Sequence, residues 1–156
     1  SISSFVRVSA KENQADEELG HDRNTLIGDL QELATKYRIL FSVQDAIYEY
    51  RFSFDKKRVI TESLDVADKS TRFRKLFERE WISKMASYEY NFGEALSGPK
   101  HIWQQSTREN ALFLSTAIQL NSESLRVPYD WLTKYMRTTR IDSTGSKYTT
   151  KRCSED

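Results

Sequence analysis

The sequence predicts an α+β chain, with an antiparallel β meander of about five strands over 36–92 followed by a helical part over about 99–137. Two observations lead there. Between 36 and 92, aromatic and β-branched residues return at every second position in short runs separated by connections of hairpin length. Such alternation marks strands with one buried and one wet face, which favours antiparallel pairing. Beyond Phe92 the apolar period lengthens to three and four, the helical spacing.

In chain order, 1–35 reads as the end of a helix, a polar loop and a short helix. Ile2, Phe5, Val6 and Val8 suit last helical turns, 9–24 is polar throughout, and Leu26, Leu30 and Leu33 share one face over 25–34. The first strand, "KYRILFSV", carries Tyr37, Ile39, Phe41 and Val43 on one side. The second, "AIYEYRFSF", carries Tyr48, Tyr50, Phe52 and Phe54, with Glu49, Arg51 and Ser53 facing the other way. "RVITESLDV" alternates less cleanly through Ile60, Leu64 and Val66. "TRFRKLFERE" places Phe73 with Phe77, and "SYEYNF" repeats Tyr88, Tyr90 and Phe92. "QD" at 44–45 and "DKK" at 55–57 are the hairpin connections.

The helical region is 93–141. Ser106 followed by Glu109 satisfies the capping-box pattern, so a helix from Ser106 to about Leu120 is expected, ended by Asn121 and Ser122. A second helix is expected from "VPYDWL", with Pro128 in its first turn and Trp131, Leu132, Tyr135 and Met136 on its buried side. The tail 142–156 is nearly without apolar residues and is expected to be mobile.

Composition narrows the function classes. At 156 residues the chain is most simply one domain. Its 24 basic and 23 acidic residues nearly cancel, so no global field draws in nucleic acid or anionic membrane. No apolar run approaches a bilayer span. Cys153 has no second cysteine to pair with, which fits a reducing cytoplasm. Ser1, where a start Met would stand, is expected of a cut, processed or partial chain.

The chemical motifs are sparse. "TGSKYTT" echoes a phosphate loop, but position 140 is Arg where the first glycine belongs and Lys147 is followed by Tyr148. His21 and His101 lack partners at ligand spacing, and Cys153 has no base near it in sequence. Glu78 and Glu80 share a strand face and could flank a substrate, although a solvated face balanced by Arg72 and Arg74 is the preferred reading. Arg72, Arg74, Lys75 and Arg79, interleaved with Phe73, Phe77 and Trp81, could contact nucleic acid; aromatics on a half-buried strand are more often core.

Taken in order, "FVRVSAKENQADEE", "ATKYRILFSVQDAIYEYRFSFDKKRVITESLDV", "RKLFERE", "TRENALFLSTAIQLN" and "VPYDWL" resemble one continuous piece of a bacterial ATPase family. This is the ABC-type AAA family related to abortive-infection and OLD-type proteins, with heads like those of chromosome-maintenance ATPases. The resemblance covers about residues 5–135. It implies a middle segment, because the family's phosphate loop precedes this stretch and its signature, Walker B and switch histidine segments follow it. On that footing the chain alone is non-catalytic and holds no cofactor, whereas the full-length protein would bind ATP and Mg²⁺. The resemblance further implies, as contacts to the nucleotide head or a dimer mate, Arg79 of "FERE" and Arg108, Glu109, Asn110 and Ser115 of the "REN" segment. Implied partners are the remainder of the head, a second copy, and an effector or phage-derived protein; nucleic acid through this segment alone and membranes are not expected. Two other readings stay open: a free-standing interaction module derived from such a head, and a small enzyme using Glu78 and Glu80.

Overall fold

The structure, a computed structural model, describes residues 34–68 and 72–135. Five strands run in chain order across one antiparallel sheet: β1 (Thr35–Val43), β2 (Ala46–Phe54), β3 (Val59–Ala67), β4 (Arg74–Ile82) and β5 (Ser87–Phe92). Three short helices follow: α1 (Lys100–Ser106), α2 (Phe113–Gln119) and α3 (Arg126–Asp130), the last continuing into a π-helical turn at Trp131–Tyr135. The expected fold class, a β meander and then a helical part, is what forms. The expectations for 1–33 and 136–156 lie outside the described residues.

The hairpins close through short turns. Gln44, with φ of 55°, supplies the left-handed position of the two-residue β1–β2 turn. In the β2–β3 turn the Asp55 carboxylate accepts the backbone N–H groups of Lys57 and Arg58, each at 2.7 Å. Gly93 ends β5 where a Cβ would stand 1.7 Å from the Lys75 carbonyl oxygen, so only glycine fits against that backbone.

One face of the sheet is the core. Tyr50, Phe52 and Phe54 are buried on β2 with Arg51 exposed between them, as the alternation predicts. The helices lie on this face. Phe113 of α2 meets Phe77 at 4.6 Å, Phe92 at 5.6 Å and Tyr90 at 5.8 Å, which joins β4 and β5 to the helical layer. Phe41 stacks on Trp131 at 4.3 Å and ties the far edge of the sheet to the π-helical turn.

Two bulges correct the expected faces. Between Ser53–Thr61 and Phe54–Val59 the register slips, so Val59, not Ile60, is the fully buried residue at the start of β3. A second slip, between Leu64–Phe77 and Asp65–Lys75, inserts Leu76 into β4. Phe73 therefore does not continue the Phe77 face; it precedes β4 and is 43% exposed. Tyr135, expected on a buried side, is also exposed, because the switch to π-helical winding rotates it away from Leu132.

The largest correction concerns 106–120. No helix begins at Ser106; that residue is the last of α1, and Thr107 is extended. The chain crosses the sheet without helical structure and enters α2 only at Phe113, with no local side-chain cap. The C-terminal expectation holds: Asn121 adopts φ of 64° and the Ser122 N–H donates to the Ala117 carbonyl at 2.9 Å, closing the helix. Among the described residues no helix is long and apolar enough to cross a membrane.

Candidate functional site

The site is built on two residues that break the apolar register of adjacent strands. Glu62 of β3 lies opposite Phe52 on one side and Arg79 on the other, and Arg79 lies opposite Tyr90. Cross-strand partners point to the same face, so a carboxylate and a guanidinium project into the aromatic core side by side. Both side chains are fully buried, with Arg79 Nε 3.0 Å from Glu62 Oε2. An isolated buried charge is costly, and such a pair persists only when hydrogen bonds satisfy its remaining atoms.

Sheet and helix together supply most of those bonds, leaving the buried Arg79 Nη1 without a hydrogen-bond partner among the described residues. The Tyr50 hydroxyl donates to Glu62 Oε1 at 3.0 Å. The Phe113 N–H donates to Oε2 at 2.6 Å and the Leu114 N–H to Oε1 at 3.0 Å. Glu62 thus caps α2 from 51 residues earlier in the chain, satisfying amides that every helix start leaves without an intrahelical partner. Arg79 Nη2 donates to the Ala111 carbonyl, and its guanidinium lies 4.8 Å from the Tyr88 ring centroid. A second strap lies nearby. The Val59 N–H donates to the Glu109 carbonyl at 2.8 Å, and the Tyr88 hydroxyl sits 2.6 Å from the Val59 carbonyl and 3.1 Å from that of Glu109.

The electrostatics follow from burial. Removal from water, and then the Glu62 charge, push the Tyr50 phenol well above its ordinary range. Tyr88 moves in the same direction, chiefly through burial. Burial alone would lower the Arg79 pKa, but the Glu62 carboxylate, with Tyr90 and Tyr88 beside it, leaves it raised. Arg79 is a fixed cation, and the arrangement locks structure: it positions the 108–114 segment.

The residues singled out from the sequence do not share one surface. Arg79, Asn110 and Ser115 are buried within the chain. Arg108 and Glu109 are exposed. Arg108 borders a hollow of about 90 Å³ with Ser106, Thr116 and Gln119, whereas Glu109 pairs with Arg58 at 3.4 Å. Glu78 pairs with Lys75, and Glu80 is exposed. Glu62 and Tyr50 were not expected as site residues. The available signal was a carboxylate at the inward position of the series Glu62, Leu64, Val66, one strand from an arginine in the series Phe77, Arg79, Trp81.

Among the described residues no group of three or more His, Cys, Asp or Glu side chains is placed to hold a metal. No protein-family model, curated protein or solved structure matches the chain.

Proposed function

We propose that this chain is the middle segment of a bacterial ABC-type AAA ATPase of the abortive-infection type, a cytoplasmic phage-defence protein. One observation supports the reading most directly. Glu62 of "VITESL", Arg79 of "LFERE" and residues 111–114 of "ENALFLS" meet in a single buried network. Three of the five segments whose order carries the family resemblance therefore meet in one structural unit. In this reading the sheet and helices flank the nucleotide head, with exposed Arg108 turned toward the remainder of the head or a dimer mate. The sequence contains no GxxxxGK[ST] stretch to cradle phosphates, so no step of phosphoryl transfer is assigned to its residues.

The test is the complete coding sequence and its product. It should carry a phosphate loop upstream, and the purified product should hydrolyse Mg-ATP. Arg108→Ala should lower that activity while leaving the melting temperature unchanged. Absence of the loop, or of ATP hydrolysis by the complete product, overturns the reading. The alternative, a free-standing interaction module, draws support from Leu40 and Ile47, apolar residues on the outer face that are 62% and 40% exposed. Under that alternative a partner should be lost on Leu40→Glu.

A further inference from the structure

A second charged locus lies outside the buried network. At the β2–β3 turn, Asp55, Lys56, Lys57 and Arg58 join Ile60, Trp81 and Ser83 around an open cleft of about 300 Å³. Three consecutive cations line it against one carboxylate. That carboxylate, Asp55, uses Oδ1 to accept the Lys57 and Arg58 backbone amides and so holds the turn in shape. The Asp55 N–H also donates to the Arg58 carbonyl at 3.0 Å, closing the turn beneath the cations.

Arg58 is pre-organised. Its guanidinium lies 3.9 Å from the Trp81 ring centroid, a cation–π contact that fixes its plane. Its ion pair to Glu109 is long, at 3.4 Å, from a single nitrogen. A guanidinium presents five donors in a rigid fork suited to phosphate oxygens, and lysines on either side add mobile point charges. Because Arg58 covers a face of Trp81, the indole is poorly placed to stack a base. The cleft suits the anionic part of a ligand and not its aromatic part.

The geometry points to a binding site for linked phosphate groups at Lys56, Lys57 and Arg58, independent of the ATPase reading above. A single-stranded nucleic-acid backbone and a free polyphosphate present the same chemistry there. Glu109 is the built-in competitor, holding Arg58 when no ligand is present.

The test titrates the chain with tripolyphosphate, and separately with an oligothymidylate, following the Trp81 indole N–H signal by NMR with buried Trp103 as internal control. A saturable shift of Trp81 alone is expected. For the oligothymidylate, three phosphate contacts predict a slope of log K against log salt of about −2, falling to about −0.7 in the Lys56→Gln/Lys57→Gln variant. That variant should bind at least about tenfold more weakly. Glu109→Gln should bind a few-fold more tightly, because it releases Arg58. An oligothymidylate about tenfold or more tighter than tripolyphosphate identifies the strand as the ligand, and equal affinity identifies free polyphosphate. No saturable shift by either probe up to about 5 mM overturns the assignment, as does binding unchanged by the double lysine variant or weakened by Glu109→Gln.

Discussion

Removing the charge of Glu62 by Glu62→Gln should be among the most damaging single changes in the chain. Arg79 would remain fully buried, with the Ala111 carbonyl and the Tyr88 and Tyr90 rings around it but no counter-charge. The Phe113 and Leu114 amides would compete for one amide oxygen where two carboxylate oxygens served them. An uncompensated buried charge costs about 3–5 kcal/mol, and each stranded amide about 1–3 kcal/mol. A loss near the upper end, about 5 kcal/mol, is therefore expected. Arg79→Met should cost less, about 3 kcal/mol, because the carboxylate would keep the Tyr50 hydroxyl and both α2 amides as donors. The double variant should fall short of the sum by about 2 kcal/mol, since the second change removes the charge that the first left stranded. Urea unfolding followed by tryptophan fluorescence, with linear extrapolation, measures all three. A cost below about 1 kcal/mol for Glu62→Gln, or a double variant additive within about 0.5 kcal/mol, would refute the reasoning.

Phe52→Ala should cost about 3–5 kcal/mol in the same assay, because a fully packed aromatic leaves a cavity between β1, β2 and the helical layer. Ser106→Ala should change stability by less than about 0.5 kcal/mol, since Ser106 ends α1 and caps nothing; a loss near 1 kcal/mol would restore the capping box. Stability should also decline in alkali. Tyr50 is raised in the folded chain, so its contribution is intact below the unfolded phenol value of about 10 and is lost as pH climbs from there toward the folded value. Tyr50→Phe should reduce the slope of stability against pH above about 10 by about 1.4 kcal/mol per unit, and an unchanged slope would show that another group governs the loss.

The sheet was legible because its information is local. Aromatics two apart in β2 and β5 define a face without reference to any other segment, and the connections at 44–45 and 55–57 are of hairpin length. The two bulges were not legible. Each is settled by how one strand meets its neighbour, so Ile60 and Phe73 were assigned to faces that the paired register denies them.

The 106–114 stretch shows the same limit. Ser106 and Glu109 carry a local helix-start pattern, yet two long-range interactions outweigh it. The Glu109 carbonyl is taken by the Val59 amide, which holds the backbone against the sheet where a first helical turn would have to form. Glu62 then supplies, from β3, the oxygens that a local cap would have offered α2. A serine cap is worth about 1 kcal/mol, whereas leaving the Glu62–Arg79 pair incomplete would cost several, so the remote arrangement wins. The Arg108, Glu109 and Asn110 triplet is divided by that outcome. Asn110 turns into the core, while Arg108 and Glu109 are exposed on a backbone held to the sheet at the Glu109 and Ala111 carbonyls. A segment meant only to start a helix needs no such anchoring. Under the ATPase reading proposed above it would fix where Arg108 is presented, and Arg108→Ala in the product of the complete coding sequence tests that.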